Sequence, residues 1–292
     1  MNLVKQLALW GYYAASQPAR RRAEVDRAAR QTEPVRVLFY HRVADRYPNA
    51  WTMPTRVFAA QVRWLKERFD IVSLAEAQER IAAGRNRWPT ACITFDDGYA
   101  ENLKFAIPLL VSEGIPFTYF VSTNQVLRGD AFPHDVAAGL PLPPNTVEQL
   151  RELAAAGVEI GAHSRSHADL GAGLPRQRLL DEIVGSKCEL EAALERQINY
   201  FSFPTGLIEN LSAEAFRIAC QAGYRGVCSA YGGYNLPGDD PFHLRRIHAD
   251  VELVRFKNWL TIDPRKLRRH TDFDPGDYRG AKPAAALEPA IS

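Results

Sequence analysis

Short apolar runs rich in β-branched and aromatic residues alternate along this chain with amphipathic helical stretches, and that alternation limits the fold more than any other feature. Val35 to Tyr40 (VRVLFY), Thr90 to Phe95 (TACITF), Phe117 to Ser122 (FTYFVS), Val158 to Gly161, Tyr200 to Phe203, Tyr224 to Ser229 and Arg245 to His248 read as strands. Helical patterns lie between them. One runs from Pro54 to Phe69, with Phe58, Val62, Leu65 and Phe69 on one face. A second carries Leu103, Ile107 and Leu110, with a kink expected at Pro108. Others span Thr146 to Ala156 and Arg176 to Arg196, and Gly223 marks the end of a further helix. Residues 124–144, rich in Gly and Pro, read as a long loop over a site. Such units predict an α/β fold with a parallel sheet, closed or nearly closed, and 292 residues suffice for one domain of that size. Chemistry in such folds gathers at the carboxyl ends of the strands. His41, Asp96, Asp97, His163 and Thr205 all fall just past predicted strands.

Two local patterns carry chemistry. In Thr94-Phe95-Asp96-Asp97-Gly98-Tyr99, adjacent carboxylates at a strand end are costly unless one meets a cation or the two share a proton. Gly98 lets the backbone turn sharply there. The D-D-G triplet alone is common in plain turns. In His163-Ser164-Arg165-Ser166-His167, imidazoles four positions apart suit a single divalent metal. A lone H-x-x-x-H is more often structural. Beside Asp96-Asp97 it forms a set of two His and one carboxylate, with positions left open for water and substrate. Spacing alone leaves open which Asp is the ligand.

The motifs T-F-D-D-G-Y, H-S-R-S-H and, in altered form, F-S-F-P-T-G (Phe201 to Gly206) resemble those of the polysaccharide deacetylase family, the NodB-homology group of carbohydrate esterases. The likeness runs from about Val35 to Asp250. The stretches V-L-F-Y-H-R-V and E-I-G-A-H-S-R-S-H resemble members found with bacterial exopolysaccharide and cell-surface glycan systems. The resemblance implies a distorted (β/α)7-type barrel. It implies Asp96 as general base, and Asp97, His163 and His167 as ligands of a divalent metal, Zn²⁺ first and Co²⁺, Ni²⁺ or Mn²⁺ as alternatives. The Thr205 N–H would be an oxyanion donor. The implied reaction is metal-dependent removal of N-acetyl groups from amino sugars of a bacterial surface glycan.

Two departures from the family pattern stand out. Ser202 occupies the place where the family commonly carries an Arg that orients the base, so that duty is expected to fall to Arg42. The Leu-x-His motif that supplies the general acid is not found. His248, with Asp250 as a partner, is the first candidate for the acid, and His41 the second. His41, Arg42, Tyr99, Pro204 and Gly206 are expected to line the substrate groove with His134, and Trp51 and Tyr99 to stack on sugar rings. His243 and His270 carry no signal.

A formal net charge of +2 gives no reason to expect a nucleic-acid partner. The basic runs Arg20 to Arg22 and Arg265 to Arg269 are expected to be solvated faces, with surface binding as the alternative. Leu7 to Ala15 is too short to span a bilayer, and no strong basic region precedes it, so a secretory signal stays open with little support. A helix with Leu3, Leu7, Trp10 and Tyr13 or Ala14 on one side suits either an anionic membrane surface or packing on the barrel. Cys92, Cys188, Cys220 and Cys228 form no C-x-x-C pair and read as four buried thiols. These features lean toward a cytoplasmic protein, or one peripheral to the cytoplasmic membrane, ahead of a periplasmic one. The expected organisation is an N-terminal amphipathic and basic segment (1–34), a catalytic domain (35–270) and a loosely ordered tail (271–292). Three further readings use the same residues: a deacylase of a lipid-linked sugar, a non-catalytic glycan-binding barrel, and an O-ester hydrolase.

Overall fold

The computed structural model describes residues 3–171, 173–262 and 272–279. The basic run Arg265 to Arg269 and His270 lie outside the described residues. Ten strands form among those described: β1 (Val35–Tyr40), β2 (Arg42–Val43), β3 (Thr52–Met53), β4 (Asp70–Ile71), β5 (Thr90–Phe95), β6 (Phe117–Val121), β7 (Glu159–Ala162), β8 (Tyr200–Ser202), β9 (Gly226–Ser229) and β10 (His243–His248). All the pairings are parallel, in the order β1-β10-β9-β8-β7-β6-β5-β4. β1 also pairs along its whole length with β5, Val35 facing Thr90 and Tyr40 facing Phe95. That second pairing closes every strand of the sheet but β4 into a seven-stranded barrel. The barrel expected from the sequence is the one found.

The helices are α1 (Leu3–Arg30), α2 (Thr55–Lys66), α3 (Leu74–Ala82), α4 (Ala106–Ser112), α5 (Thr123–Arg128), α6 (Pro133–Ala137), α7 (Val147–Ala155), α8 (Arg176–Leu180), α9 (Ser186–Leu194), α10 (Ala213–Gln221) and α11 (Leu253–Leu260). The helix expected through Leu103, Ile107 and Leu110 is broken at Phe105 (φ −145°, ψ −56°), between a 3-10 stretch, Ala100–Lys104, and α4; Pro108 is the third residue of α4, where its missing N–H has no partner to lose. Residues 124–144 are not one loop but hold α5 and α6. The long helix over 176–196 is interrupted by a π-helical turn, Asp181–Gly185. Only Cys92 and Cys228 are buried; Cys188 is exposed and Cys220 half-buried. Of the tail expected over 271–292, residue 271 and residues 280–292 lie outside the described residues; within 272–279, Tyr278 is buried with its ring stacked on Phe242 at 5.0 Å.

Two apolar layers make the core. A large cluster lies between the strands and the surrounding helices, through residues such as Leu38, Ile93, Tyr119, Phe201 and Ile247. A smaller one lies inside the ring, where Val35, Val37, Cys92, Phe120, Tyr200, Cys228 and Leu244 meet. Leu74, Ala77 and Ile81 of α3 join this inner cluster and plug the barrel below. Side chains alternate across a strand, so the inward set recurs every second residue. Extending it upward places His41, Asp96, His163, Ser202, Arg246 and His248 on the inner side at the carboxyl ends.

β7 contributes no side chain to the inner cluster at Gly161, since a Cβ there would lie 2.4 Å from the Phe120 ring. Gly161→Ala is expected to destabilise the fold by roughly 1–3 kcal/mol through overpacking, measurable by denaturant unfolding.

Candidate active site

The rim of the barrel is where the backbone is most strained. Asp97, Ser164, His167 and Thr205 all adopt positive φ, at 73°, 58°, 58° and 60°. Gly98 follows Asp97 with φ 79°, and a Cβ on it would meet Val121 Cγ1 at 2.9 Å. Only glycine can make this turn, which swings the Asp97 carboxylate away from Asp96 and toward the histidine loop.

Asp97 Oδ1 stands 3.5 Å from His163 Nε2 and 3.3 Å from His167 Nε2. One ligand atom from each of the three residues lies within 4.8 Å of the others. His163 Nδ1 bonds to the Ser202 carbonyl at 2.8 Å, so that nitrogen donates and leaves the Nε2 lone pair facing the carboxylate. Asp97 Oδ1 is buried and, among the described residues, has no hydrogen-bond partner of proper geometry. Burial would raise the Asp97 carboxyl, but the surrounding imidazoles outweigh it and hold it far below the usual range. Burial also pushes His163 down to about 4, which favours the neutral imidazole that a metal ligand requires. An orphaned carboxylate oxygen between two imidazoles is a donor set that a divalent cation completes, so these residues fit the implied metal.

The π turn braces the loop that carries these histidines. It holds Glu182 buried, where the carboxylate accepts from Ser166 N at 2.8 Å and Ser166 Oγ at 2.5 Å.

Asp96 is held by a residue that sequence reasoning missed. Arg246 of β10 is fully buried and grips the carboxylate with two parallel bonds, Nη1 to Oδ1 at 2.7 Å and Nη2 to Oδ2 at 2.8 Å. The same guanidinium donates to Thr94 Oγ1, Ser202 Oγ and the Ser229 carbonyl at 3.1, 2.7 and 3.0 Å. Ser202 Oγ in turn donates to Asp96 Oδ1 at 3.3 Å. Burial would raise the Asp96 carboxyl; Arg246 and then His163 overcome it and hold it ionised below its ordinary value. Arg42 does not play this part. Its fork closes on Glu101 at 2.9 Å, and its remaining donors go to Arg46 O, Tyr47 O and Thr52 Oγ1, which fixes the loop bearing Trp51. A signal for Arg246 existed in the sequence, namely a charged residue alternating with Leu244 and His248 inside a strand.

Around this centre lies a cleft of about 490 Å³, lined by Phe39, His41, Trp51, His134, Thr205, Leu207 and His248 as well as the four central residues. Tyr99 is not on it. Tyr99 is fully buried and donates to Asp135 Oδ2 at 2.7 Å, anchoring α6 instead of meeting solvent. Trp51, 47% exposed, lies tilted against His41 with the rings 4.8 Å apart. Thr205 is exposed at the rim, with Pro204 and Gly206 buried beneath it. A Cβ on Gly206 would meet Ala230 N at 2.9 Å, so these two residues shape the turn rather than the groove surface.

The two acid candidates differ in placement. His41 feels the charges of Asp97 and Asp96, while burial lowers its pKa and leaves its Nδ1 without a partner among the described residues. The groups acting on His248 are His41, Asp250 and Arg255, and Asp250 itself pairs with Arg255 at 2.9 Å. His243 is buried and bonds to Ser229 Oγ at 2.9 Å.

Comparison with known proteins agrees with this architecture. Residues 83–227 match the polysaccharide deacetylase family. YxkH of Bacillus subtilis (strain 168), which carries the name polysaccharide deacetylase, is 26% identical over 192 residues. That match takes in 65% of this chain and 62% of YxkH, so the chain spans less than two thirds of that relative's length. Among solved structures, IcaB from Ammonifex degensii superposes with a TM-score of 0.67 at 24% identity, covering 80% of this chain and 99% of that one. The Streptococcus pyogenes deacetylase PplD, solved in complex with acetate, gives 0.66 at 19% identity, covering 78% and 99%. At these identities the structural likeness speaks for the fold, and the family match supplies the rest. With its closed barrel, its D-D and H-x-x-x-H motifs at the strand ends and this match, the chain belongs to the polysaccharide deacetylase family.

Proposed function

We propose that this protein hydrolyses N-acetyl groups from amino sugars of a bacterial surface glycan, using a divalent metal, Zn²⁺ by default. The observation that carries this reading is the convergence of Asp97, His163 and His167 beside an Arg-clamped Asp96 in one cleft. When bound, the ion supplies Lewis-acid activation of water and of the amide carbonyl. Asp96, kept ionised and aimed by Arg246, takes the proton of the attacking water. The Thr205 N–H, which forms no hydrogen bond among the described residues, donates to the oxyanion that develops on the carbonyl. His41 delivers a proton to the departing amine, its position favouring it over His248. Trp51 offers a half-exposed ring at the cleft for a sugar to rest on.

A buried Arg on the base also weighs against a barrel that binds glycans without chemistry, because it supplies the group that Ser202 fails to provide. The test is acetate release from N-acetylglucosamine oligomers by metal-stripped protein and by the same protein reloaded with Zn²⁺ or Co²⁺. Release that vanishes on stripping and returns on reloading is expected. A folded, metal-loaded protein inert on these and on acetylated surface glycans would sink the reading.

A further inference from the structure

α1 is apolar on the side that faces solvent. Its inner side is already engaged with α11 and the segments around it. Gln6 donates to Glu252 Oε2 at 3.0 Å, and the buried Arg20 donates to Asn258 Oδ1 at 2.7 Å and Ser16 Oγ at 2.8 Å. Arg20 is therefore a packing residue and not part of a solvated face. The outer side carries Leu3, Val4 and Leu7, exposed at 67%, 71% and 62%. At 100° per residue, Gly11, Ala14 and Pro18 continue the same stripe, and all three are exposed. A surface helix bathed only in water carries its polar residues there.

The charge pattern selects an occupant for this face. No acidic residue precedes Glu24 in the sequence, whereas Lys5, Arg21 and Arg22 are exposed on the helix. Lys257 of α11 adds a cation over the Trp10 ring, 5.8 Å from its centre. A second copy docked on the stripe would bring like charges together with no acid on this stretch to answer them. Anionic phosphate headgroups answer them directly. None of the helices among the described residues is long and apolar enough to cross a membrane, so the fitting geometry is a helix lying in the plane of the surface.

We propose that the outer face of α1 docks the protein on an anionic lipid bilayer, with Leu3, Val4 and Leu7 in the interface and Arg21 and Arg22 on the phosphates. This does not depend on the deacetylase reading. The full chain would be floated with phosphatidylcholine vesicles, with and without phosphatidylglycerol. Binding is expected only with phosphatidylglycerol, and it should weaken as salt is raised. Val4→Glu with Leu7→Glu, and separately Arg21→Glu with Arg22→Glu, should each reduce the partition by about tenfold or more. All four positions face solvent, so thermal melting of the variants should match the parent. Failure to bind the anionic vesicles, or binding indifferent to both pairs of substitutions, would overturn the proposal. So would a concentration-dependent dimer, broken by Val4→Glu with Leu7→Glu, in a protein that ignores vesicles.

Discussion

Arg246→Met is expected to lower folding stability by about 3–5 kcal/mol and turnover by roughly 10²–10⁴-fold. Both effects follow from the Asp96 carboxylate, which lies buried with Arg246 as its paired cation. Removing the guanidinium leaves that charge in a low-dielectric site where, among the described residues, the weaker Ser202 hydroxyl is the one remaining side-chain hydrogen bond. The lost fork also frees the carboxylate to rotate away from the water that the proposed mechanism has it deprotonate. Arg246→Lys should fall between the two proteins, because an ammonium keeps the charge but cannot make two parallel bonds. Denaturant unfolding and acetate release would be measured on the same samples. In Asp96→Asn with Arg246→Met, much of the lost stability should return, since the stranded charge is gone, while activity should not. If Arg246→Met alone left turnover within a few-fold of the parent, the base would be oriented by something else.

His41→Asn should reduce turnover on N-acetyl oligomers by roughly 10²–10⁴-fold, while His248→Asn should cost less than about tenfold. An amine leaves poorly without a proton, and of the two acid candidates His41 is the one on which both central carboxylates act. Metal content should stay at the parent level in both variants, as neither residue belongs to the Asp97, His163, His167 set. The decisive control is an aryl acetate, whose phenolate departs without protonation and should be spared by His41→Asn. Equal losses on amide and aryl ester would make His41 a groove-shaping residue. A larger loss from His248→Asn than from His41→Asn would return the acid to the end of β10.

The fold and the central residues were legible because their signals are local. TACITF followed by Asp96-Asp97-Gly98 contains a strand, its end and its turn within nine residues, and E-I-G-A-H-S-R-S-H does the same for the histidines. The break signalled by Pro108 falls at Phe105, three residues earlier, because a Pro in the first turn of a helix leaves no bond unmade. Tyr99 misled because an aromatic after D-D-G says nothing of which way its ring turns. Its partner, Asp135, lies 36 positions further along in α6.

The sequence by itself determined the period of each segment, hence an α/β fold with a parallel sheet, closed or nearly closed, and the residue types gathered at its strand ends; the barrel was what the family resemblance implied. Those are properties of neighbours along the chain. Only the tertiary structure decided that Arg246 rather than Arg42 clamps Asp96, that Asp96 and Asp97 act on His41 while His41, Asp250 and Arg255 act on His248, and that the outer side of α1 is the apolar one. Arg246 and Asp96 are separated by 150 positions, and they meet because closing the ring sets β1 between β5 and β10. A strand shows alternation on its own, but which of its faces points inward is fixed only when its neighbours in the closed sheet are in register.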